Sequence, residues 1–340
     1  MRIPILPLRA AALALSLTAS VARAQTTITL KLATLAPEGS GWHEALKDLG
    51  QRWAQVSGGR VQLKIYAGGV AGDETAVVSK MRIGQFGAAL VTSHGVTDIT
   101  TYVRAFGLPR MIRSYEELDH ALEALRPSLE RRLEEKGFVA LGWADAGMVR
   151  FFGPEPTADV ARIRAFKLFT WAGDSDTGEL WRGAGFHAVP LPSTEVMTGL
   201  QTGLIDAIPT TPAIALASQW YAHVRCLIDM PIAPLVGTLL VTRRDWERIP
   251  AELRPALREE AAKTIARLRS ENRRLDREAI EVMARRGLRV VVPSAAELDA
   301  WNRAADEVNR SVRGRYVPAE AYDELMHALD ELRRRPAGSR

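Results

Sequence analysis

From residue 26 onward, apolar positions switch repeatedly between a period of two and a period of three to four. Residues 27–34 (TITLKLAT) alternate as a strand does. Residues 42–56 then place Trp42, Leu46, Leu49, Trp53 and Val56 at helical spacing, introduced by Ser40 and Gly41. Residues 60–66 (RVQLKIY) alternate again, and residues 74–83 follow a helical period. Residues 86–92 (FGAALVT) form a short apolar run, the pattern of a strand covered on both faces. Strand–helix–strand order with tight glycine turns predicts βαβ units, hence an α/β domain with a mostly parallel sheet. A further helix is expected from Ser114, with Glu116 and Glu117 in its first turn, and strands at 139–144 and 148–152.

The second half repeats the theme after Pro154 and Pro156 mark a change of direction. Strands are expected at 166–171, 187–191, 204–208, 224–230 and 238–242. Between them lie helical segments at 179–183, 194–202 and 213–218. No fixed-period repeat and no low-complexity linker interrupts the alternation.

Residues 251–286 have a different character, rich in Arg and Glu, without Gly and with Pro255 confined to the first turn. Leu253, Leu257, Ala261, Ile265, Leu268, Leu275 and Met283 form one apolar stripe, interrupted by Asn272. Arg277–Glu281 and Glu281–Arg285 are spaced for charge pairing on the wet face. A helix of that length would be roughly 54 Å long, more than the width of one small domain. It must cross two lobes, project into solvent or pair with another chain. Helical segments at 295–309 and 319–334 complete the chain.

The N-terminus sets the compartment. Arg2 and Arg9 precede a small-residue apolar run up to Val21, and Ala22-Arg23-Ala24 offers a cleavage pattern before Gln25. A cleavable secretory signal is therefore expected over residues 1–24, placing the mature chain in the periplasm. The single cysteine, Cys226, is far from that cleavage site, so neither a lipid anchor nor an internal disulfide is expected. Net charge is +5; loss of Arg2, Arg9 and Arg23 would lower it to about +2. The remaining arginines are interleaved with acids, which argues against nucleic acid as a partner.

Enzyme signatures are missing: no nucleophile elbow, no paired-histidine metal helix, no phosphate loop. Gly68-Gly69-Val70-Ala71-Gly72 reads as a tight turn, not a cofactor cradle. Asp174-Ser175-Asp176 resembles a calcium loop only faintly and suits helix capping better. The six histidines show no metal spacing, so neither metal nor cofactor is expected. What remains is a concentration of aromatic and polar residues where strands end, which in open α/β sheets is where ligands sit.

Here a family resemblance emerges. Residues 32–42 (LATLAPEGSGW), 57–61 (SGGRV), 72–74 (GDE) and 195–207 (EVMTGLQTGLIDA) resemble the DctP-type solute receptors of TRAP transporters over roughly residues 26–315. The resemblance implies an α/β, two-lobed periplasmic-binding-protein-like fold with mixed sheets flanked by helices. It also implies hinge strands, a long helix bracing both lobes, no catalysis, and a small and a large membrane permease subunit as partners. Lobe I would comprise residues 25–146 with 232–265, and lobe II residues 147–231 with about 270–315, leaving 316–340 as a C-terminal helix and tail. One departure stands out: Phe169 occupies the place of the family's carboxylate-binding arginine, and residues 208–212 (IPTTP) replace its Asn-containing stretch. Arg150 corresponds to a second family arginine only with a one-residue shift.

The expected ligand-binding residues are Trp42, Glu74, Ser93, Trp143, Arg150, Phe169, Trp171, Thr210 and Trp220. Because phenylalanine cannot supply bidentate donors, the cargo is expected to be a small organic molecule more apolar than a simple dicarboxylate. The alternative is that another arginine, Arg104 or Arg164, has taken over the clamp. Two competing functions stand beside the receptor: an exported enzyme using Glu74 or Asp145 as general acid or base, and an adaptor that dimerises through the long helix. The lack of sustained heptads in that helix favours packing within the chain.

Overall fold

The computed structural model describes residues 27–335; the expected signal sequence and residues 336–340 lie outside them. The chain runs β1 (Ile28–Thr34), α1 (Gly41–Val56), β2 (Val61–Tyr66), α2 (Glu74–Arg82), β3 (Ala88–Thr92), α3 (Ser93–Thr97), a 3-10 segment (Thr101–Gly107), α4 (Tyr115–Glu135) and β4 (Phe138–Met148). It continues with β5 (Arg150–Gly153), α5 (Val160–Ile163), β6 (Lys167–Trp171), α6 (Ser175–Gly183), β7 (His187–Leu191), α7 (Val196–Thr202), β8 (Ile208–Thr210) and α8 (Pro212–Ala217). The last stretch is β9 (Cys226–Ile228), β10 (Pro234–Thr242), α9 (Arg243–Arg248), α10 (Arg254–Arg285), β11 (Arg289–Val291), α11 (Ala295–Val312) and α12 (Ala319–Arg334).

Two lobes result. Lobe I is a five-stranded sheet in the order β2-β1-β3-β10-β4, parallel through β3 and antiparallel on both sides of β10. Its alternating strands feed two cores. One holds Val78, Leu125, Phe106 and Leu325, packed by α2, α4, the 3-10 segment and α12. The other holds Leu46, Leu49, Trp53 and Leu257 between α1 and the first half of α10. Lobe II contains the sheet β11-β9-β5-β8 and the parallel pair β6-β7, joined by the bridge between Leu168 and Ala207.

Three segments cross between the lobes before the end of α11 leads back to α12 in lobe I. β4 passes into β5 through Val149, and β9 passes into β10 through residues 229–233. These two crossings are bonded to each other, Val149 N donating to the Ala233 carbonyl at 2.8 Å and Ile232 N to the Val149 carbonyl at 2.9 Å. The third crossing is α10, 32 residues and therefore about 48 Å long. Its early residues Leu257, Ala261, Ile265 and Leu268 belong to the lobe I core, and Ala279 and Met283 to that of lobe II. The apolar stripe is thus used within the chain.

The interruption in that stripe has a purpose. Asn272, Arg273 and Asp276 sit where α10 passes the β4–β5 crossing. Asn272 Nδ2 donates to the Asp145 carbonyl at 2.8 Å, and Arg273 bridges Asp119 and Asp145. Polar groups suit this place because β4 is the edge strand of its sheet, and its outward backbone groups need partners from α10.

Several expectations need correction. The strand expected at 204–208 begins only at Ile208. Residues before it close α7: Gly203 is left-handed at φ 70°, and Asp206 bonds back to the Lys167 backbone at 2.7 Å. The short helices α3 and α9 and the 3-10 segment, all too brief for a period to register, were not expected. The C-terminal helix is no separate appendage, since Ala321, Leu325 and Leu329 are fully buried in the lobe I core.

Candidate functional site

A cavity of about 610 Å3 lies between the lobes. Thr34, Thr92, Trp171 and Thr210, at the carboxyl ends of β1, β3, β6 and β8, all reach it. The lobe I wall carries Trp42 at the start of α1, together with Ser93, His94 and Arg104. The lobe II wall carries Phe169, Trp171, Thr210 and Trp220. The crossing residues Val149, Ile232 and Pro234 and the α10 residues Asn272 and Leu275 complete the lining. The cavity therefore touches every segment that joins the lobes, so filling it bears on how they sit.

The lobes meet at the cavity's edge. His94 stacks on Trp171 with ring centres 4.2 Å apart and planes 18° from parallel. Asp73, the N-cap of α2, accepts from Ser193 in lobe II, 2.5 Å from its hydroxyl and 3.2 Å from its backbone nitrogen. A third contact is ionic. Arg104 is 9% exposed; its Nη2 donates to Asp174 at 3.0 Å and its Nη1 to Asp176 at 2.8 Å. Asp174 also caps α6, accepting from Thr177 N at 3.1 Å, the role its sequence context suggested. Tyr316, from the turn after α11, lies under the guanidinium, 4.5 Å from ring centre to Cζ.

Glu74 lines the cavity but is fully engaged. Its oxygens accept from Thr92 N, Thr92 Oγ1 and Gly95 N, each at 2.8 Å. It therefore brackets the β3–α3 turn that presents Ser93 and His94. Burial pushes its carboxyl up to about 7 from the ordinary 4.5, with the hydrogen bonds from Thr92 and Gly95 restraining the rise. Burial acts oppositely on His94, lowering it to about 4 against the pull of Asp174 and Asp73, so the ring is neutral near pH 7.

Seven expected residues, Trp42, Glu74, Ser93, Phe169, Trp171, Thr210 and Trp220, are brought together on this cavity. Two are not. Trp143 is 5% exposed within the lobe I core, because alternation along β4 turns it away from the cleft. Arg150 is held at the crossing by Asp229 at 2.9 Å and Asp276 at 3.2 Å, and does not line the cavity. Of the two substitute clamps considered, Arg164 faces a separate groove between α6 and α11, whereas Arg104 is in the cleft but already paired. His94, Asp174 and Tyr316 were not expected there. Only the capping pattern at Asp174 hinted at any of them.

Among the described residues no group of His, Cys, Asp and Glu side chains is arranged to hold a metal ion, and no helix is long and apolar enough to cross a membrane. Two α/β lobes, bonded crossings and a lined cavity between them define a solute-binding protein of the two-lobed kind. The family profile of the bacterial extracellular solute-binding proteins, family 7 (DctP), matches residues 32–314, and the chain belongs to that family.

Similar proteins agree. The 2,3-diketo-L-gulonate-binding periplasmic protein YiaO of Escherichia coli is 23% identical over 304 residues, covering 85% of this chain and 88% of that protein. A solute-binding protein of Chromohalobacter salexigens is 23% identical over 222 residues, which span 64% of this chain and 65% of that one, slightly under two thirds of it. Among solved structures, the sugar acid binding protein DctPAm of Advenella mimigardefordensis, in complex with galactonate, superposes with a TM-score of 0.84 at 16% identity, covering 90% of this chain and 99% of that one. A TRAP periplasmic solute-binding protein of Ralstonia eutropha, with bound (S)-2-acetolactate, gives 0.83 at 18% identity, covering 90% and 99%. At these identities the superpositions speak for the fold.

Proposed function

We propose that the chain is exported through a cleavable signal over residues 1–24 and works as the periplasmic receptor of a TRAP-type transporter. It closes its lobes on one small organic molecule and delivers it to the small and large permease subunits. In this reading lobe I comprises residues 25–146 with 232–265, and lobe II residues 147–231 with about 270–315. The C-terminal helix returns to lobe I.

The solved relatives named above hold galactonate and 2-acetolactate, both acids. For this chain we infer a neutral or weakly polar cargo. One observation carries that inference: Arg104 is the sole Lys or Arg among the described lining residues, and both its Nη groups already meet carboxylates of the opposite lobe. Trp42, Phe169, Trp171 and Trp220 supply apolar surface instead, with Ser93, Thr210 and Asn272 as hydrogen-bonding points. A micromolar receptor needs about 8 kcal/mol, within reach of a few packed aromatic contacts and two or three hydrogen bonds.

An enzymatic role finds little support. Glu74 has both oxygens engaged, and Asp145 is 1% exposed beneath Arg273. Pairing of two chains through α10 would have to use its charged face, since the apolar stripe is covered.

Mass spectrometry of the solute that stays with gently purified protein tests the assignment. A neutral organic molecule at close to one per chain is the expected result. A stoichiometric dicarboxylate would overturn the cargo assignment while leaving the receptor role intact.

A further inference from the structure

Arg104 and Asp174 stand on opposite lobes yet form the most buried ion pair at the cavity, with side chains 8% and 6% exposed. The guanidinium has three acceptors within the protein. Nη2 donates to Asp174 Oδ1, and Nη1 donates to Asp176 Oδ2 and, at 3.2 Å, to the Tyr316 carbonyl. Nε alone is buried without an acceptor. Asp174 is fixed in turn: Thr177 donates to it from both backbone and hydroxyl, and that hydroxyl lies 2.6 Å from Tyr316 Oη.

We propose that Asp174 is a built-in substitute for a cargo carboxylate, a specificity residue that engages Arg104 and restricts the receptor to neutral, oxygen-bearing solutes. The proposal rests on the receptor reading above and deepens it. A guanidinium receives a carboxylate through paired N–H groups, and here both Nη atoms already donate to lobe II carboxylates. An acid entering the cavity would have to expel Asp174, leaving a carboxylate buried without its cation, an unfavourable exchange. A ketone, amide, lactone or alcohol requires no such exchange. The lobes gain their ionic contact from each other, so closure does not depend on the charge of the cargo.

Asp174→Asn tests this with little structural disturbance, because Asn caps a helix about as well as Asp. The full mature chain, stripped of retained solute, would be titrated by calorimetry with matched probes: lactate against lactamide, and benzoate against benzamide. The parent should favour the amide of each pair, and Asp174→Asn should move the acid-to-amide affinity ratio at least tenfold toward the acid. Adding Arg104→Met should abolish that gain, showing that the freed guanidinium is the receiver. If Asp174→Asn does not fold, Asp174→Ser, also a good cap, carries the same expectation. An unchanged ratio in a folded variant that still binds the amide would overturn the Asp174 assignment alone. A folded parent that binds none of the probes and retains no solute on purification would overturn the receptor reading as well.

Discussion

Gly173 and Thr75 face each other from opposite lobes so closely that a Cβ on Gly173 would stand 2.1 Å from Thr75 Oγ1. Thr75 is in α2 of lobe I, and Gly173 follows β6 in lobe II. Real Cβ contacts are never that short, and Thr75 Cβ is only 3.0 Å away, so rotation of the threonine does not clear the space. Gly173→Ala should therefore hold the lobes apart without disturbing either core. Affinity for the retained solute is expected to fall at least tenfold in calorimetry while the melting temperature of the empty protein stays within about 2 °C of the parent. Unchanged affinity would mean that this contact is not needed for the closed form.

Trp171 couples the two walls differently, stacking on His94 and lying 5.8 Å from Phe169. Large aromatic anchors in desolvated pockets cost about 2 kcal/mol or more when truncated. Trp171→Ala should weaken solute binding by about thirtyfold or more, with Trp220→Ala acting in the same direction. Calorimetry with the recovered solute checks this. A loss of twofold or less at both positions would remove the aromatic walls from the binding site.

At the crossing, Arg273 neutralises Asp145, which is 1% exposed, and holds Asp119 as well. Arg273→Met would leave Asp145 buried without a cation, costing about 3–5 kcal/mol. A melting temperature lower by roughly 8 °C or more is expected. Adding Asp145→Asn should recover part of the loss, since the two changes share one interaction. A double variant no better than the single would mean that Arg273 acts through Asp119 instead.

The fold was legible wherever a period had room to repeat. The alternation in 27–34 and 60–66 became β1 and β2, and the long stripe of 251–286 became the helix that spans both lobes. Even the gap at Asn272 was visible, although its reason, the β4–β5 crossing beside it, lies in another part of the chain. The cleft was less legible. Arg104 sits in a seven-residue 3-10 segment with no amphipathic signature, and its meaning comes from Asp174, 70 positions away. Trp143 misled because being aromatic near a turn does not reveal which face of a buried strand a side chain takes. Arg150 misled because its partner Asp276 lies on α10, out of reach of any local motif.

Glu74 and His94, both on the lobe I wall, make the last prediction. The folded Glu74 carboxyl is raised to about 7 from 4.5, chiefly by burial, so between those values the folded state holds more protons than the unfolded one. Its contribution to stability is full below about pH 4.5 and is lost as pH rises through 7. His94 is lowered to about 4 from 6.5 by burial, so the folded state holds fewer protons in that window, and its contribution fades as pH falls from 6.5 to 4. Each shift is on the order of 3 kcal/mol. Between pH 4.5 and 6.5 the two slopes oppose each other and nearly cancel. Glu74→Gln should expose the histidine slope, its stability falling relative to the parent as pH drops across that window. His94→Asn should do the reverse and gain on the parent under the same acidification. Chemical denaturation at half-unit pH steps, read as the variant-minus-parent difference, isolates each slope from the other carboxylates. Difference curves that stay flat for both variants would show that neither group titrates abnormally in the folded chain.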